Sequence, residues 1–179
     1  MEIVILTPET QKDIYPQVLE MLREADGDFV PPLSSRSSAA QQTLSETAPR
    51  SNGVQEYFSE LQTQRFAAVY ENGRVVAFVS WKEDYTCEYM KKLPNIYIST
   101  LIVRPQIRGK GVTTALYKKL FSHYKDRHIF TRTWSTNHAH IRVLEKYGFS
   151  LLQTLPNHRG NGIDTVYFAK QPGGYRLLR

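Results

Sequence analysis

Residues 95 to 134 spell a strand, a glycine turn, a helix and a second strand, and that order dictates a parallel pair. "NIYISTLIV" (95–103) is rich in β-branched and aromatic residues and ends at Pro105. "RGKG" (108–111) follows it. From Gly111 to Lys125, Val112, Ala115, Leu116, Leu120 and Tyr124 form an apolar stripe, which reads as an amphipathic helix. "HIFTRTW" (128–134) is again a strand. Strands joined through a helix in this way run parallel, with a right-handed crossover.

The remaining segments fit around that unit. "EIVIL" (2–6) reads as a short strand. "DIYPQVLEMLREA" sets Ile14, Val18, Met21, Leu22 and Ala25 on one helical stripe, with Asp13 as the expected cap and Pro16 tolerated in the first turn. Residues 26–51 are rich in Ser, Pro, Asp and Gly and predict a long loop, with a helical turn around 37–46. Loops of that length often line a binding site. "GVQEYFSELQTQ" (53–64) predicts a second short helix. "RFAAVYENGRVVAFVSW" (65–81) is a hairpin, because Asn-Gly accepts positive φ at both turn positions. "NHAHIRVLEKYGF" predicts a helix capped by Asn137 and closed by Gly148; "FSLLQTL" and "DTVYFAK" finish as strands. The strands outside 95–134 are mostly hairpin-connected, so the sheet is mixed. The tail "QPGGYRLLR" is expected to be loosely held.

With 179 residues, 41% apolar and 22% charged, the chain suits one soluble domain. Its apolar runs are strand-sized, so no membrane association is expected. "MEIVILTPET" has no basic leader or cleavage pattern, and the single Cys87 suits a reducing cytoplasm. The formal charge is +6, and residues 104–132 hold eight basic residues against Asp126 alone. Such a segment suits an anion: a nucleic acid, a membrane surface or a phosphate-bearing small molecule. A solvated lysine face explains the charge equally well.

A helix N-terminus carries unpaired N–H groups and about half a positive charge, and glycines let a phosphate approach the backbone. "QIRGKGVT" therefore makes a pyrophosphate cradle, though by itself it serves as well for a plain strand-to-helix connection. It lacks the third glycine and the downstream acid of a dinucleotide fold, and it does not fit G-x-x-x-x-G-K-S/T.

Taken together, these residues resemble a known family. "LIVRPQIRGKGVTTAL" resembles motif A of the GNAT acetyltransferase superfamily, a Q/R-x-x-G-x-G/A turn met here by Gln106, Gly109 and Gly111. "NHAHIRVLEKYGF" resembles its motif B, in the expected order with a strand between. The resemblance covers residues 1–170 as a single domain, leaving 171–179 as a tail. It implies an α/β (α+β) fold: a mixed, mostly antiparallel sheet with splayed central parallel strands, flanked by helices. It also implies acetyl-CoA as cosubstrate, with the pantetheine arm along Leu101 to Val103. The backbone of Arg108, Gly109, Lys110, Gly111, Val112 and Thr113 would receive the pyrophosphate. Asn137 would contact the pantetheine arm as well as cap its helix. The implied activity is acetyl transfer to a primary amine of a small molecule or peptide by direct attack in a ternary complex.

The sequence departs from the family pattern at the catalytic groups. Leu144 stands where motif B has a tyrosine that protonates the leaving thiolate, so an acyl-CoA-binding protein without catalysis is the alternative. Tyr147, one turn on, reads as core. The strand at 95–103 offers no carboxylate base. Tyr97 is the residue there that could relay a proton, with Glu83 and Asp84 further off. Trp81 and Trp134 read as core or cleft lining. His138 and His140 point about 200° apart on a helix, which disfavours a shared metal. Cys87 lacks a base or resolving partner. No RNA-recognition signature accompanies the basic segment, so nucleic acid is not expected; a homodimer is left open. Small amines, polyamines, amino acids, antibiotics and protein termini all stay open as acceptors, with Asp26 and Asp28 as groups that could attract a cation.

Overall fold

A computed structural model describes residues 1–44 and 52–173. Seven strands form one sheet in the order β1-β2-β3-β4-β5-β7-β6. These are β1 (Glu2–Ile5), β2 (Arg65–Glu71), β3 (Arg74–Glu83), β4 (Asn95–Val103), β5 (His128–Trp134), β6 (Ser150–Leu155) and β7 (Thr165–Lys170). Of these strands only β4 and β5 pair in parallel, as the strand-helix-strand order requires. The helices are α1 (Tyr15–Glu24), α2 (Gln55–Leu61), α3 (Val112–His123) and α4 (His138–Lys146).

Each face of the sheet buries its own apolar cluster. On one, α1 and α2 bring Val18, Met21, Leu22, Tyr57, Phe58 and Leu61 against Phe66, Phe78 and Ile102. On the other, α3 and α4 bring Leu116, Tyr117, Leu120, Phe121 and Leu144 against Val79, Trp81, Ile96 and Ile129. The β2–β3 turn has φ of 51° at Asn72 and 75° at Gly73, as the Asn-Gly pair predicts.

The entry to α1 differs from expectation. Thr7 and Thr10 exchange backbone-to-hydroxyl bonds of 3.0 and 3.2 Å, and the chain turns early through a 3-10 segment, Thr10–Ile14. Asp13 lies inside that segment, and α1 starts at Tyr15 with no side-chain cap; Pro16 keeps its place in the first turn. The predicted helical turn at 37–46 is also absent over its described part, 37–44. Short 3-10 turns form instead at Asp26–Asp28 and Leu33–Ser35, where Asp26 accepts from the backbone and hydroxyl of Ser34 at 2.7 and 2.8 Å. Of the tail, residues 171–173 are described, Gly173 donating to the Lys125 carbonyl at 3.1 Å, while 174–179 lie outside the described residues. Among the described residues no helix is long and apolar enough to cross a membrane.

Candidate active site

β4 and β5 begin side by side and then part. Their register runs from Asn95–His128 to Ile98–Thr131 and stops there, although β4 continues to Val103 and β5 to Trp134. The divergence coincides with an irregularity opposite β3: Ser80 faces Thr100 and Trp81 faces Ile98, so Ser99 is an extra residue on β4. A bulge of this kind bends its strand. Thr131 Oγ1 donates to the Ile98 carbonyl at 3.0 Å and closes the last rung.

Beyond that rung lies a cavity of about 480 Å³. Thr113, Tyr117, His140 and Val143 line it from the α3–α4 side, and Ala25, Asp28 and Phe29 from the loop after α1. Ladder alternation sets which backbone groups face it. The Arg104 N–H bonds to the Val76 carbonyl at 2.9 Å, so Ile102 and Thr100 also point at β3, and the backbone groups of Leu101 and Val103 point into the gap. The Val103 carbonyl accepts from Arg108 Nε at 3.0 Å.

The glycine turn sits at the mouth of the gap. Gly109 and Gly111 have φ of 77° and 75°, a region closed to most residues, and each has open space where a side chain would start. Gly111 leads directly into α3, whose first amides have no intrahelical acceptor. The Arg108 amide, however, already donates to the Pro105 carbonyl at 3.2 Å, so the open donors begin at Gly109, not Arg108. The Arg108 side chain is engaged as well, with Asp28 at 2.6 Å. Lys110 is exposed; Val112 is buried and Thr113 lines the cavity. Asn137 also lines it, caps α4 by accepting from the His140 amide at 3.4 Å, and donates to Thr133 Oγ1 at 3.1 Å.

A polar pair unforeseen in the sequence projects from the two helices. Tyr117 Oη and His140 Nε2 lie 2.6 Å apart in the cavity wall. Burial pulls His140 down to about 4, so it is neutral at pH 7. Burial pushes the Tyr117 hydroxyl well above the usual phenol range, and Thr131 opposes this weakly. His138, by contrast, is exposed. The signal for Tyr117 was its place with Phe121 in a second apolar row beside Val112, Leu116 and Leu120. Among the described residues no group of three or more His, Cys, Asp or Glu side chains could hold a metal.

The other candidates have structural partners. Tyr97 does not line the cavity: it is 1% exposed, donates to the Ala39 carbonyl at 3.1 Å and stacks on Tyr85. Glu83 accepts from Tyr124 at 2.5 Å, and Asp84 pairs with Arg127 at 3.0 Å, both at the far end of β4 from the gap. Asp26 holds Ser34 and Asp28 holds Arg108, so neither carboxylate stands ready for a cation. Leu144 is fully buried, and Tyr147 packs against the α3 core with its ring 6.3 Å from Phe121. Trp81 is fully buried and bonds Tyr124, whereas Trp134 lines the cavity 5.7 Å from the Phe29 ring.

The chain superposes on yncA of Salmonella typhimurium, whose structure holds its cofactor acetyl-CoA, with a TM-score of 0.67 and 15% identity, covering 99% of this chain and 97% of that one. An N-acetyltransferase of Staphylococcus aureus Mu50 gives 0.66 and 17%, over 95% and 97%. A ribosomal-protein-alanine N-acetyltransferase of Brucella melitensis gives 0.66 and 15%, over 96% and 99%. At these identities the likeness is one of fold. No curated protein matches the chain in sequence. The profile of the Acetyltransferase (GNAT) family does match, over residues 31–149, from the loop after α1 to the end of motif B. The chain is a member of the GNAT acetyltransferase family, which uses acetyl-CoA.

Proposed function

We propose that the protein is an acetyl-CoA-dependent N-acetyltransferase acting on a primary amine of a small molecule or peptide, with both substrates in the cavity at once. The parting of β4 from β5 carries this reading, because it yields one cavity lined from the α3–α4 side and from the loop side. Acetyl-CoA, when bound, supplies the thioester that the amine attacks. Proximity in one cleft provides much of the acceleration. The amides from Gly109 to Thr113 suit the pyrophosphate, and the open edge at Leu101 and Val103 suits the amide-bearing arm. The Val103 N–H is the donor best placed along that edge to polarise an acyl oxygen. Tyr117 is the phenol available to a departing thiolate. A thiol of pKa about 8.5 is more acidic than this phenol, so Tyr117 stabilises the sulfur by a hydrogen bond, not by full proton transfer.

Asp28 is the one carboxylate lining the cavity among the described residues, and Arg108 holds it. The amine therefore loses its proton to water. An alkylamine of pKa ~10 is almost wholly protonated at pH 7, so kcat/KM should climb steadily across pH 6 to 9, and a plateau within that window would reveal a base on the protein. The second reading, acyl-CoA binding without catalysis, draws on Leu144 at the tyrosine place of motif B. Calorimetry with CoA followed by thiol release across an amine panel separates the two. Binding with release supports transfer, binding without release supports the second reading, and no binding overturns both.

We take residues 1–170 as the catalytic domain, since the sheet runs from Glu2 to Lys170. Cys87 has no disulfide partner, in keeping with a cytoplasmic location. For a homodimer the candidate surface is the free edge of β6, where Leu151 and Leu152 are 58% and 42% exposed. Sedimentation at micromolar concentration, with a Leu151→Glu control, decides it.

A further inference from the structure

The loop side of the cavity is backed by three arginines that form no ion pair among the described residues, Asp26 acting on Arg36 only through space. Arg132 lines the cavity from β5. Arg36 lies over the Phe29 ring at 5.7 Å and Arg159 over the Trp134 ring at 5.8 Å, the two rings being cavity walls 5.7 Å apart. Arg36 and Arg159 are each 5% exposed. Among the described residues none of the three forms a salt bridge. Their partners are neutral. Arg36 donates to the Pro31 carbonyl, Arg132 to the Ala39 and Gln41 carbonyls and Tyr167 Oη, and Arg159 to the Val30 carbonyl and Thr165 Oγ1. Among the described residues these bonds leave Nη1 of Arg36 and Nη2 of Arg159 without an acceptor.

Carbonyl oxygens satisfy guanidinium hydrogens but do not neutralise their charge. Burying cations within one another's field is costly unless an anion completes the set. Burial and then the neighbouring Arg36 and Arg132 pull Arg159 down to about 9, and Arg36 is lowered first by burial and also by Arg132. Burial works against Arg132 too, but the Tyr97 and Tyr167 oxygens outweigh it.

Resting on the acetyltransferase reading above, we propose that the acceptor is a small aminocarboxylate, whose carboxylate is bound at Arg132 in the field of Arg36 and Arg159 while its amine faces the gap. Both Nη2 hydrogens of Arg132 are taken by carbonyls, so the carboxylate is held by charge and by the remaining Nε and Nη1 hydrogens, not by a two-point fork. Phe29 and Trp134 offer the ligand an apolar flank. The cavity, about 480 Å³, must also take the acyl end of the cosubstrate, which limits the acceptor to a small molecule. The same charges repel polyamines and polycationic antibiotics. They also disfavour an ammonium over a free amine, which aids nucleophile formation where the described residues offer no free carboxylate base.

The test uses matched pairs on the wild-type protein: lysine against cadaverine, histidine against histamine, tyrosine against tyramine, each with acetyl-CoA and thiol release as readout. We expect kcat/KM on the order of 100-fold higher for at least one amino acid over its decarboxylated partner, as a site built for a polar group rejects the analogue that lacks it. Equal or better turnover of the decarboxylated amines overturns the proposal while leaving acetyl transfer intact. If CoA binds and no amine turns over, the transfer reading fails separately. The carboxylate site is then judged by calorimetry with N-acetyltyrosine against N-acetyltyramine in the presence of CoA; saturable binding of the first alone supports it, and its absence overturns it. Arg132→Gln, checked for an unchanged melting profile, should abolish the preference within the pair and spare CoA binding.

Discussion

Tyr117 and His140 form a hydrogen-bonded pair with two separate consequences. Tyr117→Phe removes the phenol and leaves a buried imidazole nitrogen short of a partner. Stability should fall by about 1–2 kcal/mol in urea melts, and kcat should fall about tenfold with little change in KM for acetyl-CoA if the hydroxyl serves the thiolate. His140 titrates at about 4 in the folded chain against an ordinary 6.5. The unfolded chain therefore takes up the proton first as pH drops, and the stability tied to neutral His140 is full above pH 6.5 and lost as pH falls from there through 4. That loss amounts to about 3 kcal/mol at most. Urea melts at pH 7 and 4.5 should show a larger drop for wild type than for His140→Gln. The pair was not legible in the sequence because it depends on how α3 and α4 are rotated against each other, and residue spacing fixes only one helix at a time. Asn137 was legible, since a cap acts within its own turn. The three arginines come from segments far apart in the chain, and only the folded loop reveals that none forms an ion pair among the described residues.

Among the elements, the glycine turn and α3 were readable together because strand, turn and helix are contiguous. Gly111 holds φ at 75° where a side chain would have room but not the backbone conformation. Gly111→Ala should cost about 1 kcal/mol of stability and weaken CoA binding several-fold by calorimetry, with a larger loss for the stiffer Gly111→Val. The Asn72–Gly73 hairpin was readable for the same local reason. The entry to α1 was not, because the mutual bonds of Thr7 and Thr10 outcompete Asp13 as the start of the helix. Nor was the path of residues 26–44, which is set by distant donors. The Ala39 carbonyl accepts from both Tyr97 and Arg132, and its amide donates to Glu60. The bulge at Ser99 also lay hidden, since an extra residue in a strand shows only against its neighbour.

At the level of the whole molecule, the basic stretch 104–132 is less of an anionic-polymer surface than its charge suggests. Arg104 bonds Glu20 and Glu24 at 2.8 and 2.6 Å, Arg108 bonds Asp28, Arg127 bonds Asp84, and Arg132 bonds Tyr167 and the Ala39 and Gln41 carbonyls. Lysines supply most of what remains outside. Single-stranded RNA should therefore show no retention on filters at moderate salt, and strong retention would contradict this account. The sequence of elements along the chain and the one parallel pair were legible, but the splay between β4 and β5 was legible only through the resemblance, because periodicity is blind to where a ladder stops. That short ladder has a mechanical corollary. Four rungs, from Asn95–His128 to Ile98–Thr131, stitch a four-stranded half to a three-stranded half. An occupant seated along Leu101 and Val103 fills the open length of the seam like a splint. The loaded protein should resist limited proteolysis longer than the empty one, and its two halves should unfold as one piece where the empty protein peels apart.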